Sequence, residues 1–66
     1  LMNWNRPMFK VGDKVMVVGG DSDLIGKIGT INYIDNDFEY PYDVRCNLFA
    51  RCFDDTEIIL MEAARD

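Results

Sequence analysis

The stretch Val11-Gly12-Asp13-Lys14-Val15-Met16-Val17-Val18-Gly19-Gly20, followed after a short gap by Ile25-Gly26-Lys27-Ile28-Gly29-Thr30-Ile31, decides the fold. Gly12-Asp13 is a turn signal. Lys14 to Val18 is rich in β-branched residues, whose stiff side chains pack well on a pleated surface. It reads as a strand with Val15 and Val17 inward and Lys14 and Met16 outward. Gly19 to Asp23 is a loop by composition. A second strand is expected over Leu24 to Asp35, with Gly26 and Gly29 inside it. Glycine within a strand marks a bulge, a bend or a close backbone approach. Ile31 and Ile34 break strict alternation, and a bulge between them would turn both into the core. Small barrels need such a bend at a corner.

Upstream, Phe9 and Val11 alternate around Lys10. Residues 1–8 read as an arm, with Trp4 and Met8 folding back over one end of the core. Leu1 precedes Met2 and is read as lying before the natural start. Downstream, Asn36 to Glu39 is a second loop, and Pro41 opens a third strand where a missing N–H is tolerable. Tyr42, Val44 and Cys46 alternate with Asp43 and Arg45. Asn47 to Phe49 is a tight turn, and Ala50 to Phe53 returns. Asp54 to Glu57 is expected to form a single helical or 3₁₀ turn with Asp54 as its cap. Ile58 to Met61 is a last strand with Ile58 and Leu60 inward, and residues 63–66 are a tail. Five short strands at this spacing predict an all-β, five-stranded antiparallel barrel over residues 9–62. Its expected core is Val15, Val17, Ile31, Ile34, Tyr42, Val44, Phe53, Ile58 and Leu60, with Phe9, Val11 and Trp4 closing one end.

Size and charge exclude several functions. A chain of 66 residues makes one domain that buries about 60% of its unfolded surface, too small for a deep cleft with a lid. It carries seven Lys and Arg against twelve Asp and Glu, a formal charge of −5. The cations form no run, so phosphate neutralisation, which drives nonspecific nucleic-acid binding, is poorly served. There is no histidine, which removes the commonest general base and metal ligand. Cys46 and Cys52 alone cannot make a four-ligand zinc site, and no histidine stands ready to activate either as a nucleophile. The chain is therefore expected to be noncatalytic and free of metal and cofactor. Asp35, Asp37 and Glu39 alternate like part of a calcium loop but lack its glycine turn and distal glutamate. No apolar run approaches the ~20 residues that span a bilayer, and no basic, apolar leader is seen. A cytoplasmic protein with reduced thiols is expected. Cys46 should face in and Cys52 out, which forbids a disulfide between them.

The opening stretch resembles the KOW motif of SH3-like barrels: Gly12-Asp13-x-Val15-x-Val17, a glycine-bearing loop, then Gly26-x-x-Gly29-x-Ile31. That family includes a ribosomal protein of the bacterial large subunit and transcription elongation factors related to NusG. Tyr42-x-Val44, then Phe53 and Glu57-Ile58-Ile59-Leu60, are similar to SH3-like barrels of small bacterial and phage proteins. The resemblance implies an SH3-like, KOW-type barrel with a 3₁₀ turn before its last strand. It leaves function open, because one fold hosts many sites. RNA-binding members carry a basic first loop, whereas Gly19 to Ile25 is acidic and apolar here.

The acids bunch at loop tips beside apolar residues. The first loop carries Asp21, Asp23, Leu24 and Ile25, and the second carries Asp37, Phe38, Glu39 and Tyr40. Acid around apolar anchors is the pattern of an interface with a basic partner, and these eight residues are the candidate partner-binding site. The same residues would also suit loops that cap a small core. The expected function is a small noncatalytic protein-interaction module, which the resemblance extends to a phage or prophage accessory protein binding a host factor. The chain would act as a monomer or weak homodimer. The alternatives are a KOW-type RNA- or ribosome-associated domain, and an acidic nucleic-acid mimic that inhibits a DNA-binding protein.

Overall fold

The computed structural model describes residues 9–65. It contains β1 (Lys14–Val17), β2 (Ile28–Ile34), β3 (Tyr42–Arg45), β4 (Ala50–Phe53) and β5 (Ile58–Glu62). These form one antiparallel sheet in the order β4-β3-β2-β1-β5. No helix occurs among the described residues. Consecutive strands are neighbours except β4 and β5, which form the two edges, because β5 pairs with β1 and brings the first and last strands together. The expected arm over residues 1–8, with Trp4 and Met8, lies outside the described residues.

Alternation places β1 at the centre of the packing. Val15 and Val17 are wholly buried. Met16 between them stands opposite Ile28 on β2 and Ile59 on β5, an apolar row across the outer face. β2 carries the expected irregularity. Its register against β3 shifts between Ile31 and Tyr33, so Ile31 is buried and Ile34 also packs against the core. A bulge of this kind adds one residue and bends the strand. Gly29 lies opposite Val15. A Cβ there would stand 2.7 Å from Val44 Cγ1 and 3.0 Å from the Arg45 carbonyl oxygen, so the glycine permits β2 and β3 to close on each other.

The core comprises Phe9, Val15, Val17, Leu24, Ile31, Val44, Phe53 and Ile58, with Ile34, Tyr42 and Phe49 packed against it. The Phe9 ring meets Tyr42 edge-on at 5.2 Å between centroids. Among the described residues Asp13 is the one buried polar residue, and both carboxylate oxygens are occupied. Oδ2 accepts from the Lys10 N–H at 2.9 Å and Oδ1 from the Ala64 N–H at 2.7 Å. This one side chain ties the start of β1 to the segment after β5.

Several expectations are corrected. Val11 is exposed, because it sits in a turn closed by the Asp13 N–H donating to the Lys10 carbonyl, with Gly12 at φ +97°. Leu60 is 42% exposed. It lies on the edge strand β5, paired with Val15 beside a register shift between Lys14 and Val15, so no further strand covers it on its outer side. Cys46 is exposed rather than inward. β3 ends at Arg45, and Cys46 opens the hairpin turn by donating its N–H to the Phe49 carbonyl. Phe49 packs against the core in its place. Cys52 is exposed as expected, and both thiols are free. β2 begins at Ile28 instead of Leu24. The single turn expected before β5 is present, closed by the Glu57 N–H donating to the Asp54 carbonyl, and it does not extend into a helix.

Candidate functional site: a cavity between two loops and β4

The first loop folds back on β1. The Gly26 N–H donates to the Val17 carbonyl and the Val17 N–H to that of Lys27. Two further turns follow, Leu24 N–H to Asp21 carbonyl and Lys27 N–H to Leu24 carbonyl. Gly26 takes φ +89° with open space around it, a conformation in which any Cβ is strained. Leu24 is buried in the core and anchors the loop. Of the first-loop site residues, Leu24 therefore faces inward, while Asp23 and Ile25 are exposed.

Asp21 is the polar pivot of this loop. Its Oδ1 accepts from the Asp23 N–H at 3.0 Å, the side chain-to-backbone turn that aspartate favours. Its Oδ2 accepts from Arg51 Nη1 at 2.7 Å. Arg51 lies on β4, so a charged hydrogen bond spans two segments 30 residues apart.

The second loop is held the same way. Asp35 Oδ1 accepts from the Asp37 N–H, the Phe38 N–H donates to the Asp35 carbonyl, and the Asp35 N–H donates to the Pro41 carbonyl. Asp35 thus spends an oxygen on its own turn. Asp37, Phe38, Glu39 and Tyr40 are all exposed. Phe38 and Tyr40 meet edge-to-face at 6.0 Å, a favourable geometry for ring quadrupoles.

Between these loops lies a cavity of about 180 Å³. Gly20 and Asp21 line it from the first loop and Tyr40 from the second; Arg51, Cys52 and Phe53 line it from β4, and Glu57 from the turn before β5. Glu57 folds back so that its Oε1 accepts the Asp54 N–H at 3.0 Å, while the Asp54 carboxylate accepts from the Thr56 N–H and hydroxyl. This reciprocal pattern satisfies both ends of the turn. The Glu57 carboxylate lies against Gly20, where a Cβ would come within 2.6 Å of Oε2. Gly20 also has φ +87°. The cavity is thus bounded by two carboxylates and one guanidinium, with aromatic rings beside them. Farther along the hairpin, Arg45 is paired with Asp43 at 3.0 Å. That hydrogen bond, and then the Asp43 charge, raise the Arg45 pKa above its usual value.

Two of the eight sequence-derived site residues, Asp21 and Tyr40, meet at the cavity, and Phe38 contacts Tyr40. Sequence reading missed Arg51, Cys52, Phe53 and Glu57 as lining residues. The Asp54-x-x-Glu57 spacing signals that Glu57 turns back. Nothing local signals that Arg51 reaches the first loop.

No family model, curated protein or solved structure matches the chain.

Proposed function

We propose that the sheet is an SH3-like barrel of the KOW type and that the chain is a small noncatalytic protein-interaction module. It docks a basic partner protein on the surface around the cavity between the first and second loops. The barrel reading is supported by the strand order, with β1 between β2 and β5, and by the bulge that bends β2 midway. The functional reading is carried by one observation: Asp21 and Tyr40, from different loops, line the same cavity. Around it the loops present Asp23, Asp37 and Glu39 with the exposed rings of Phe38 and Tyr40. A small patch of aromatics inside an acidic rim suits a partner with cations around an apolar anchor. The KOW-type RNA reading fares worse, because the first loop carries Asp21 and Asp23 where phosphate binding needs Lys and Arg.

The test is capture from the native host's lysate, with and without nuclease, by the wild-type chain and by the triple variant Asp21→Asn, Asp23→Asn, Asp37→Asn. The expected result is a basic protein that survives nuclease and is depleted on the triple variant. RNA or ribosomes lost after nuclease would overturn the reading. Equal capture by the two chains would move the interface elsewhere, first to Leu48 and Phe49 at the β3–β4 turn.

A further inference from the structure

Both oxygens of the Asp21 carboxylate already have donors. Oδ1 accepts from the Asp23 N–H and Oδ2 from Arg51 Nη1 at 2.7 Å. The Asp21 side chain is 23% exposed, whereas that of Arg51 is 59% exposed. The acceptor is therefore sheltered in the loop, and the cation that fills it comes from the water-facing side of β4. Glu57 stands on the same cavity with Oε1 held by the Asp54 N–H.

From this arrangement we infer that Arg51 is a built-in competitor for the partner. It occupies on Asp21 the place that a basic side chain of the partner takes on binding. Docking is then an exchange of cations. The incoming ammonium or guanidinium takes Asp21 Oδ2, and Arg51 swings into solvent, which its exposure allows. The exchange makes Arg51 a determinant of specificity. An isolated cation gains little by replacing another at the same acceptor, since the two ion pairs are of similar worth. Only a partner that also engages the Phe38 and Tyr40 rings and the outer acids recovers the cost of displacing Arg51. This inference rests on the basic-partner reading above.

The test uses a defined probe, an acetylated and amidated peptide of three Lys-Trp-Gly repeats that carries both cations and apolar anchors, titrated at low salt into the whole chain and followed by amide and arginine Nε resonances. Arg51→Gln removes the competitor but also makes the chain more acidic. Lys14→Gln is the control, with the same charge change at an exposed residue whose partner is Glu62, outside the cavity lining. The expected result is that Arg51→Gln binds about two- to fivefold more tightly than Lys14→Gln, the range that release of a surface ion pair supports. That advantage should vanish when Asp21→Asn is added to both, because the contested acceptor has lost its charge. In the wild-type chain the Arg51 Nε resonance should move toward that of an unpaired arginine as the probe saturates. A peptide that binds only after Arg51→Gln would support the competitor in its strongest form.

Equal affinity of Arg51→Gln and Lys14→Gln would overturn the inference and leave the basic-partner reading standing. Weaker binding by Arg51→Gln would overturn it too, by making Arg51 a contact for the partner. An Arg51 Nε resonance that does not move at saturation would have the same force. No binding by the wild-type chain or by either variant would remove both readings.

Discussion

Two glycines with nearly the same backbone angle make different demands. Gly20 and Gly26 have φ of +87° and +89°, where an L side chain is strained by roughly 1–2 kcal/mol. Around Gly26 there is open space, but a Cβ at Gly20 would run into the Glu57 carboxylate. Gly26→Ala should therefore cost about 1 kcal/mol and leave the cavity unchanged. Gly20→Ala should cost at least as much and also push Glu57 off the Asp54 N–H. Unfolding midpoints at constant slope measure the first effect, and the Asp54 amide resonance reports the second. An unmoved Asp54 resonance in Gly20→Ala would show that the carboxylate yields without losing its donor.

At the scale of elements, the close approach of β2 and β3 depends on one missing side chain. Gly29 does not lie at positive φ, so its role is spatial. Val44 Cγ1 and the Arg45 carbonyl occupy the room a Cβ would need. The Arg45 carbonyl belongs to a strand paired on both sides and cannot retreat without disturbing the β3–β4 ladder. Gly29→Val should destabilise the fold by more than ~1 kcal/mol, the usual cost of overpacking a filled core. Thermal or denaturant unfolding checks it, and wild-type stability in this variant would show that the strands can part. The same two strands explain the position of Cys46. β3 is only four residues long, so the alternation through Tyr42 and Val44 stops one residue before it would turn Cys46 inward.

At the scale of the whole molecule, the formal charge of −5 is concentrated at loop tips that meet near one cavity. Exposed charges of this kind contribute little to folding, with a median surface pair worth about 0–1 kcal/mol. The triple variant Asp21→Asn, Asp23→Asn, Asp37→Asn keeps the side-chain oxygen that accepts the Asp23 N–H. Its stability should stay within about 1 kcal/mol of wild type, the loss being the Arg51 pair. Its association with a basic partner should slow, and the salt dependence of the rate should flatten, because steering depends on charges within a Debye length of the interface. Stopped-flow association over a range of ionic strength measures both. An unchanged slope would mean that the acids serve solubility alone.

The sequence by itself determined the elements and most of the core. Val15 and Val17 alternate within a β-branched run, Ile31 and Ile34 are spaced for a bulge, and glycines mark the turns. These are signals of local period and local conformation, which a chain carries wherever it folds. The site was legible only in part. Asp21 and Tyr40 were found because acids and rings gathered at loop tips, but Leu24 beside them proved to be a core residue. Composition does not distinguish an apolar residue that caps a core from one that greets a partner. Tertiary structure alone decided that Arg51 closes on Asp21, that Glu57 lies against Gly20, and that Leu60 falls on an edge strand and is left half-exposed. Each depends on which segments meet across the fold. Such meetings are set by strand order and register summed over the whole sheet, and no window of neighbouring residues contains them.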